Sequence, residues 1–197
     1  MPGAVNLGEI IVALRDKIPS DTVICNGAGN FAVWVHRYWR YGGYATQLAP
    51  ISGSMGYGVP AAVGMKRLAP ERTVIVFAGD GDFLMTGQEL ATAVQYELPV
   101  IIVVVDNGMY GTIRMHQERH YPGRVVGTGL VNPDFAAYAR AFGGFGAVVE
   151  RTADFFSAFD AARKSGKPAI LHVKVDPEAL TPAMSLSAIR EKAQAGS

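Results

Sequence analysis

The chain of 197 residues is long enough for one ordinary domain with a real core, and its 49% hydrophobic and 18% charged residues exclude a disordered tail, a collagen or a charged coiled coil. Eighteen Lys and Arg against seventeen Asp and Glu leave a formal net charge of +1, so no basic surfeit recruits nucleic acid or an anionic membrane. The longest purely apolar run, Val100 to Val105, falls far short of the ~20 residues of a bilayer span, no signal-peptide order opens the chain, and the lone Cys25 makes neither an internal disulfide nor a thiolate-rich metal site, so a soluble, cytoplasmic protein is expected.

Asn6 followed by Glu9 resembles a capping box, and Ile10, Ile11, Leu14 and Ile18 recur at helical spacing, which predicts a first helix over 6–17, stopped by Pro19. Short apolar or β-branched runs predict strands at Thr22 to Cys25, Thr73 to Ala78, Val100 to Val105, Gly146 to Val149 and Ala169 to Val173, with a weaker one at Tyr44 to Leu48. Helical stretches fall between them, near 30–40, 55–68, 87–97, 109–117, 133–142 and 152–165. Runs such as VIVFA and VIIVVV are apolar on both faces, as strands of a parallel sheet covered on either side must be. The expected fold is therefore α/β: a doubly wound, mainly parallel sheet with helices on both faces, spanning residues 1–175. From Asp176 to 197, Pro177 and Pro182 read as an arm leaving that core.

The 23 glycines, ~12% of the chain against a usual ~7%, are the compositional anomaly, and three clusters follow three predicted strands: 27–29, 53–58 and 79–81. Doubly wound sheets bind ligands beyond the carboxyl ends of their strands. Gly27-Ala28-Gly29-Asn30-Phe31-Ala32 fits G-x-G-x-x-A, but a nicotinamide site wants an acidic residue about 20 positions on, and no Asp or Glu occurs between Asp21 and Glu71. His36, Arg37, Arg40, Lys66 and Arg67 occupy that stretch instead, which favours a phosphorylated ligand over NAD. The plainer alternative, that each glycine only makes a tight turn or a helix end, weakens when three loops sit at strand ends.

A stronger constellation is a strand running into Gly79-Asp80-Gly81-Asp82 and, one helix later, a strand ending in Asp106-Asn107-Gly108. Neighbouring parallel strands place their carboxyl ends side by side, so Asp80 and Asn107 converge and offer a carboxylate and an amide oxygen to one hard cation such as magnesium. The amides of Gly81 and Asp82 at a helix start are suited to a phosphate. Asn-Gly also starts hairpins, but Met109 to Gln117 do not alternate as a returning strand would. His116 and His120 have the spacing of zinc-peptidase helices, yet Gln117 stands where the catalytic glutamate belongs, and Gly53-Ser54-Met55-Gly56 is one residue short of a nucleophile elbow.

These residues resemble the C-terminal, diphosphate-binding domain of thiamine diphosphate enzymes of the acetolactate synthase-like branch, over about residues 5–175. The segment GDGDFLMTGQELATAVQYELPVIIVVVDN carries the resemblance, with 25 residues between Gly81 and Asn107. It implies thiamine diphosphate and Mg²⁺ as cofactors, with the metal on Asp80, Asn107 and the main-chain carbonyl of Met109. It also implies that Gly53, Ser54 and Met55 of GSMGYGVPAAVG lie at the aminopyrimidine, Met55 beneath the bent cofactor. Gly29, Asn30 and Phe31 are implied to grip the diphosphate, with Gly79, Gly81, Asp82, Tyr110 and Gly111 around it. The family's activating glutamate belongs to a pyrimidine-binding domain of a neighbouring subunit, so the expected partners are such a domain or subunit within a homo-oligomer. With Met1-Pro2-Gly3 just ahead of the first helix, an excised domain and a split-enzyme subunit both fit. The isolated chain is then expected to be inactive alone. Tyr110, Arg114 and His116 are the candidate substrate-site side chains. Acetolactate synthases carry tryptophan where His116 aligns, so the resemblance implies a related enzyme of 2-oxo acids. A noncatalytic cofactor-binding or scaffolding subunit and a benzoylformate decarboxylase-like lyase domain are the alternatives.

Overall fold

The computed structural model describes residues 2–196; Met1 and Ser197, the outer bounds of the expected domain and arm, lie outside the described residues. Six strands form one sheet: β1 (Val23–Asn26), β2 (Gln47–Leu48), β3 (Val74–Gly79), β4 (Ile101–Asp106), β5 (Phe145–Val149) and β6 (Ala169–Lys174). All pairings are parallel, in the order β2-β1-β3-β4-β6-β5. The doubly wound reading of the sequence holds.

Alternate residues of β1, β3, β4 and β6 enter opposite cores. Ile24, Ile75, Phe77, Ile101, Val103 and Leu171 meet α1 (Leu7–Lys17), α2 (Asn30–Tyr38) and α8 (Phe155–Ser165) on one face. Cys25, Val74, Val76, Ile102 and Val104 meet α3 (Gly58–Leu68), α5 (Leu90–Gln95) and α7 (Phe135–Ala141) on the other. That two-sided cover is why these strands are unbroken apolar runs. Burial also pushes the Cys25 thiol up to about 12, which leaves it an inert core residue.

The chain leaves β1 toward β2 through α2 on one face and returns across β1 to β3 through α3 on the other. The switch point therefore lies between the carboxyl ends of β1 and β3, where Gly27 and Gly79 sit, and a ligand crevice is expected there.

Several boundaries differ from expectation. The helix expected at 87–97 is a 3-10 turn (Gly87–Glu89) followed by α5, and a further helix, α4 (Asp80–Thr86), precedes them because Gly79 serves as N-cap and starts helical structure at the motif itself. The strand expected from Tyr44 shrinks to the two residues of β2, paired with Ile24 and Cys25. The helix after Asn107 is α6 (Gly111–His120), starting later because Met109 bridges to Gly129.

The segment from Asp176 does not leave the core. Ser185 caps α9 (Leu186–Ala195), and Leu186 and Ile189 pack with Leu180, Met109 and Met115 against α6. Glu118 on α6, 0% exposed, accepts hydrogen bonds from Arg114 and from Arg190 of α9. The Arg190 contact, aided by the Gly123 amide and Arg114, holds the Glu118 carboxyl down at about 2 despite its burial.

Candidate cofactor-binding site

A cleft of ≈ 220 Å³ opens at the switch point, beyond the carboxyl ends of β1, β3 and β4. Its lining includes Gly29, Asn30, Phe31, Gly53, Met55, Gly79, Asp80, Gly81, Asp82, Asn107, Met109, Tyr110 and Gly111. Ser54 is not part of the lining; its hydroxyl pairs with that of Ser52 at 2.8 Å. Of the three candidate substrate-site residues only Tyr110 lines the cleft. Arg114 is spent on Glu118, and His116 is exposed, its ring stacked on that of His120 at 6.2 Å.

Asp80 is 3% exposed. Its Oδ1 accepts the Gly81 amide at 3.0 Å and its Oδ2 accepts from Asn132 Nδ2 at 2.7 Å. Among the described residues no lysine or arginine pairs with it. Burial drives the carboxyl up to about 6 against those two hydrogen bonds, and the neighbouring Asp106 pushes the same way. Asp106 takes the opposite course: burial would raise it, but bonds from His172, the Gly108 amide and Asn132 hold it at about 2.

The Gly81 amide, expected at a phosphate, is thus turned onto Asp80. Two other helix starts open on the cleft without a side-chain cap: α2 behind Gly29 and α6 behind Tyr110. Uncapped N-termini leave amide donors and a positive dipole end for an anion. None of His36, Arg37, Arg40, Lys66 or Arg67 lines the cleft, and the Lys66 ammonium donates instead to the carbonyls of Pro70 and Arg72. The phosphate-friendly character comes from backbone, contrary to the expectation from that basic stretch.

Nor are the first two glycine loops free of carboxylates in space. Asp82 Oδ1 accepts the amides of Gly56 at 2.7 Å and Ala28 at 3.4 Å, tying all three loops together, and burial pushes this carboxyl up to about 6. A Cβ at Gly27 would overlap that carboxylate, and one at Gly81 would stand 2.5 Å from the Tyr110 ring. Gly56, at φ +84, sits where side chains are strained and where a Cβ would meet Met85 at 2.8 Å. These glycines are close-approach positions.

Asn30 carries its amide toward α6: its Oδ1 accepts from the Thr112 hydroxyl at 2.8 Å and its Nδ2 faces the Met115 sulfur at 3.8 Å. A thioether is a weak acceptor, so that Nδ2 stays available to an anion. Asn107 Oδ1 accepts the Met109 amide at 3.2 Å, which bends the loop after β4. Sequence reasoning gave no role to Asn132, Asp106, His172 or Thr112: Asn132 and His172 come from distant stretches, and Asp106 and Thr112, although they stand beside Asn107 and Gly111, acquire their partners only in the fold.

The chain matches the thiamine pyrophosphate enzyme C-terminal TPP binding domain over residues 27–173. It belongs to that family. Acetolactate synthase large subunit of Parasynechococcus marenigrum is 35% identical over 175 residues, covering 88% of this chain and 28% of that protein. Acetolactate synthase isozyme 2 large subunit of Escherichia coli is 34% identical over 169 residues, covering 85% of this chain and 31% of the other. The solved thiamine diphosphate-dependent 4-hydroxybenzoylformate decarboxylase of Rhodococcus jostii superposes with a TM-score of 0.83 at 27% identity, over 89% of this chain and 33% of that one. This TPP-binding domain therefore spans about a third or less of these relatives. Among the described residues no helix is long and apolar enough to cross a membrane.

The residues present fit the family's cofactor. A buried carboxylate with no cationic partner among the described residues, an amide oxygen and a nearby main chain could offer hard donors to a divalent cation, and two uncapped helix starts open on the same cleft, where they could meet an anion.

Proposed function

We propose that the chain is the diphosphate- and Mg²⁺-binding part of a thiamine diphosphate enzyme that decarboxylates or ligates 2-oxo acids, as acetolactate synthases do. The observation that carries this is the buried Asp80, placed with Asn107 and Met109 in one cleft and held only by neutral donors. Asp80, Asn107 and the Met109 carbonyl would hold the metal, whose charge offsets that of two phosphates away from water. Bound thiamine diphosphate supplies the electron sink that decarboxylation of a 2-oxo acid needs.

The chain's own part is anchorage. The Asp82 brace keeps the glycine loops at the distance the ligand requires, Gly53 and Met55 meet its pyrimidine end, and the apolar wall made with Leu180 and Val175 excludes water from it. Tyr110, in the cleft and beside Gly81, is the side chain placed to touch substrate. The activating carboxylate comes from a pyrimidine-binding domain or subunit, in a cytoplasmic homo-oligomer. A benzoylformate decarboxylase-like activity is the second reading, favoured by the superposition on the Rhodococcus enzyme.

Reconstitution tests this. With a pyrimidine-binding domain coexpressed or fused, CO₂ release from pyruvate and from benzoylformate is measured with Mg²⁺ and thiamine diphosphate present. Turnover of either supports the proposal and chooses between the readings. A complex that binds the cofactor yet turns over no 2-oxo acid overturns it in favour of a scaffolding role.

A further inference from the structure

Beneath the cleft lies a hydrogen-bonded chain of side chains that neither the glycine loops nor the metal donors include. Asn132 Nδ2 donates to Asp80 Oδ2 and to Asp106 Oδ1, both at 2.7 Å. An amide nitrogen carries two protons, so each goes to one carboxylate and the nitrogen is fully used. The reversed amide, with its oxygen toward two carboxylate oxygens, would face acceptor to acceptor, so chemistry fixes the orientation. Asn132 Oδ1 is buried without a hydrogen-bond partner among the described residues. The residue is thus held for its donors, at the cost of its acceptor.

Asp106 is in turn fixed from three sides. Its Oδ1 also accepts the Gly108 amide at 2.9 Å, and its Oδ2 accepts from Nε2 of His172, a 3% exposed residue of β6, at 2.7 Å. His172 has no such bond at Nδ1, where Asp134 stands 3.8 Å away, and its ring packs edge-on against Phe135. Asn132 itself is delivered by backbone. Residues 128–130 pair with the loop after β4, Tyr110 N to Thr128 O and Leu130 N to Gly108 O, both at 2.9 Å, and Asp134 caps α7 two residues further on. The segment that carries Asn132 is therefore tied to the same loop that carries Asn107 and Met109.

We infer that Asn132, anchored through Asp106 and His172, is the positioning residue for the metal-binding carboxylate: it fixes the plane of Asp80 and separates it from Asp106, and so sets how readily the site takes a divalent cation. This rests on the proposal that Asp80 binds the metal. Without the amide, two neighbouring carboxylates lose their shared donor and Asp80 keeps only the Gly81 amide. A cation would then have to order Asp80 as well as bind it.

The test titrates Mn²⁺ into the whole chain at fixed thiamine diphosphate, with bound and free metal read by electron paramagnetic resonance, for wild type, Asn132→Ala and Asn132→Ser. Half-saturation should need at least tenfold more Mn²⁺ in Asn132→Ala and an intermediate amount in Asn132→Ser, whose hydroxyl restores one donor. Cofactor bound at saturating metal should equal that of wild type. Should the alanine variant fail to fold, the serine variant decides alone. Half-saturation at the wild-type concentration, or a loss of cofactor that excess metal does not restore, overturns the inference, the second because it marks general damage to the fold. A wild-type chain that binds no Mn²⁺ with the cofactor overturns the proposed function and this inference with it.

Discussion

Asp82 Oδ1 accepts the Gly56 amide at 2.7 Å, so the third glycine loop holds the second one in place from 26 residues away. The same oxygen reaches the Ala28 amide in the first loop at 3.4 Å. Removing the carboxyl leaves these amides without an acceptor in a buried site. Asp82→Ala should cost about 2 kcal/mol in a urea unfolding titration and also weaken cofactor binding. Asp82→Asn, which keeps an acceptor oxygen, should lose far less of both. Equal effects of the two variants would show that the charge, and not the brace, is what matters.

Gly81 has no room for a side chain because the Tyr110 ring stands 2.5 Å from where a Cβ would be. Gly81→Ala should push that ring into the cleft. The expected result is a tenfold or greater loss of thiamine diphosphate affinity by calorimetry, with a melting temperature close to that of wild type because the glycine lies at a helix start facing the cleft. Tyr110→Ala added to Gly81→Ala should recover part of the affinity.

Much of this arrangement was legible in the sequence, and the limits have a physical cause. The central strands could be read because runs such as IIVVV must be buried on both faces, and the convergence of Asp80 with Asn107 followed from parallel strands ending side by side. The Asp80–Asn132 and His172–Asp106 pairs span 52 and 66 residues and are set by the sheet's order and by the loop pairing at 128–130, for which no local pattern exists. The carboxylate-free look of residues 22–70 misled for the same reason, since Asp82 enters that region from another loop. At the C-terminal end, Pro177 and Pro182 drew attention from the signals of a docked helix. Ser185 as cap and the apolar Leu186 and Ile189 three apart were present throughout.

The clasp between α6 and α9 should be acid-labile. Glu118 is held at about 2 against an ordinary 4.5, so the stability it contributes is fully present above pH 4.5 and is lost as pH falls toward 2. Thermal melts of wild type and Glu118→Gln should differ most at neutral pH and converge on acidification. A difference independent of pH across that window would mean that packing alone holds α9 in place.

Isothermal titration of the chain with thiamine diphosphate, with and without Mg²⁺, and repeated on Asp80→Ala, tests the central claim most directly. Heat of binding should appear only when the metal is present and should vanish, or weaken at least a hundredfold, in the variant. Binding that persists in excess chelator, or that Asp80→Ala retains at full strength, would contradict the assignment of this buried carboxylate to the metal.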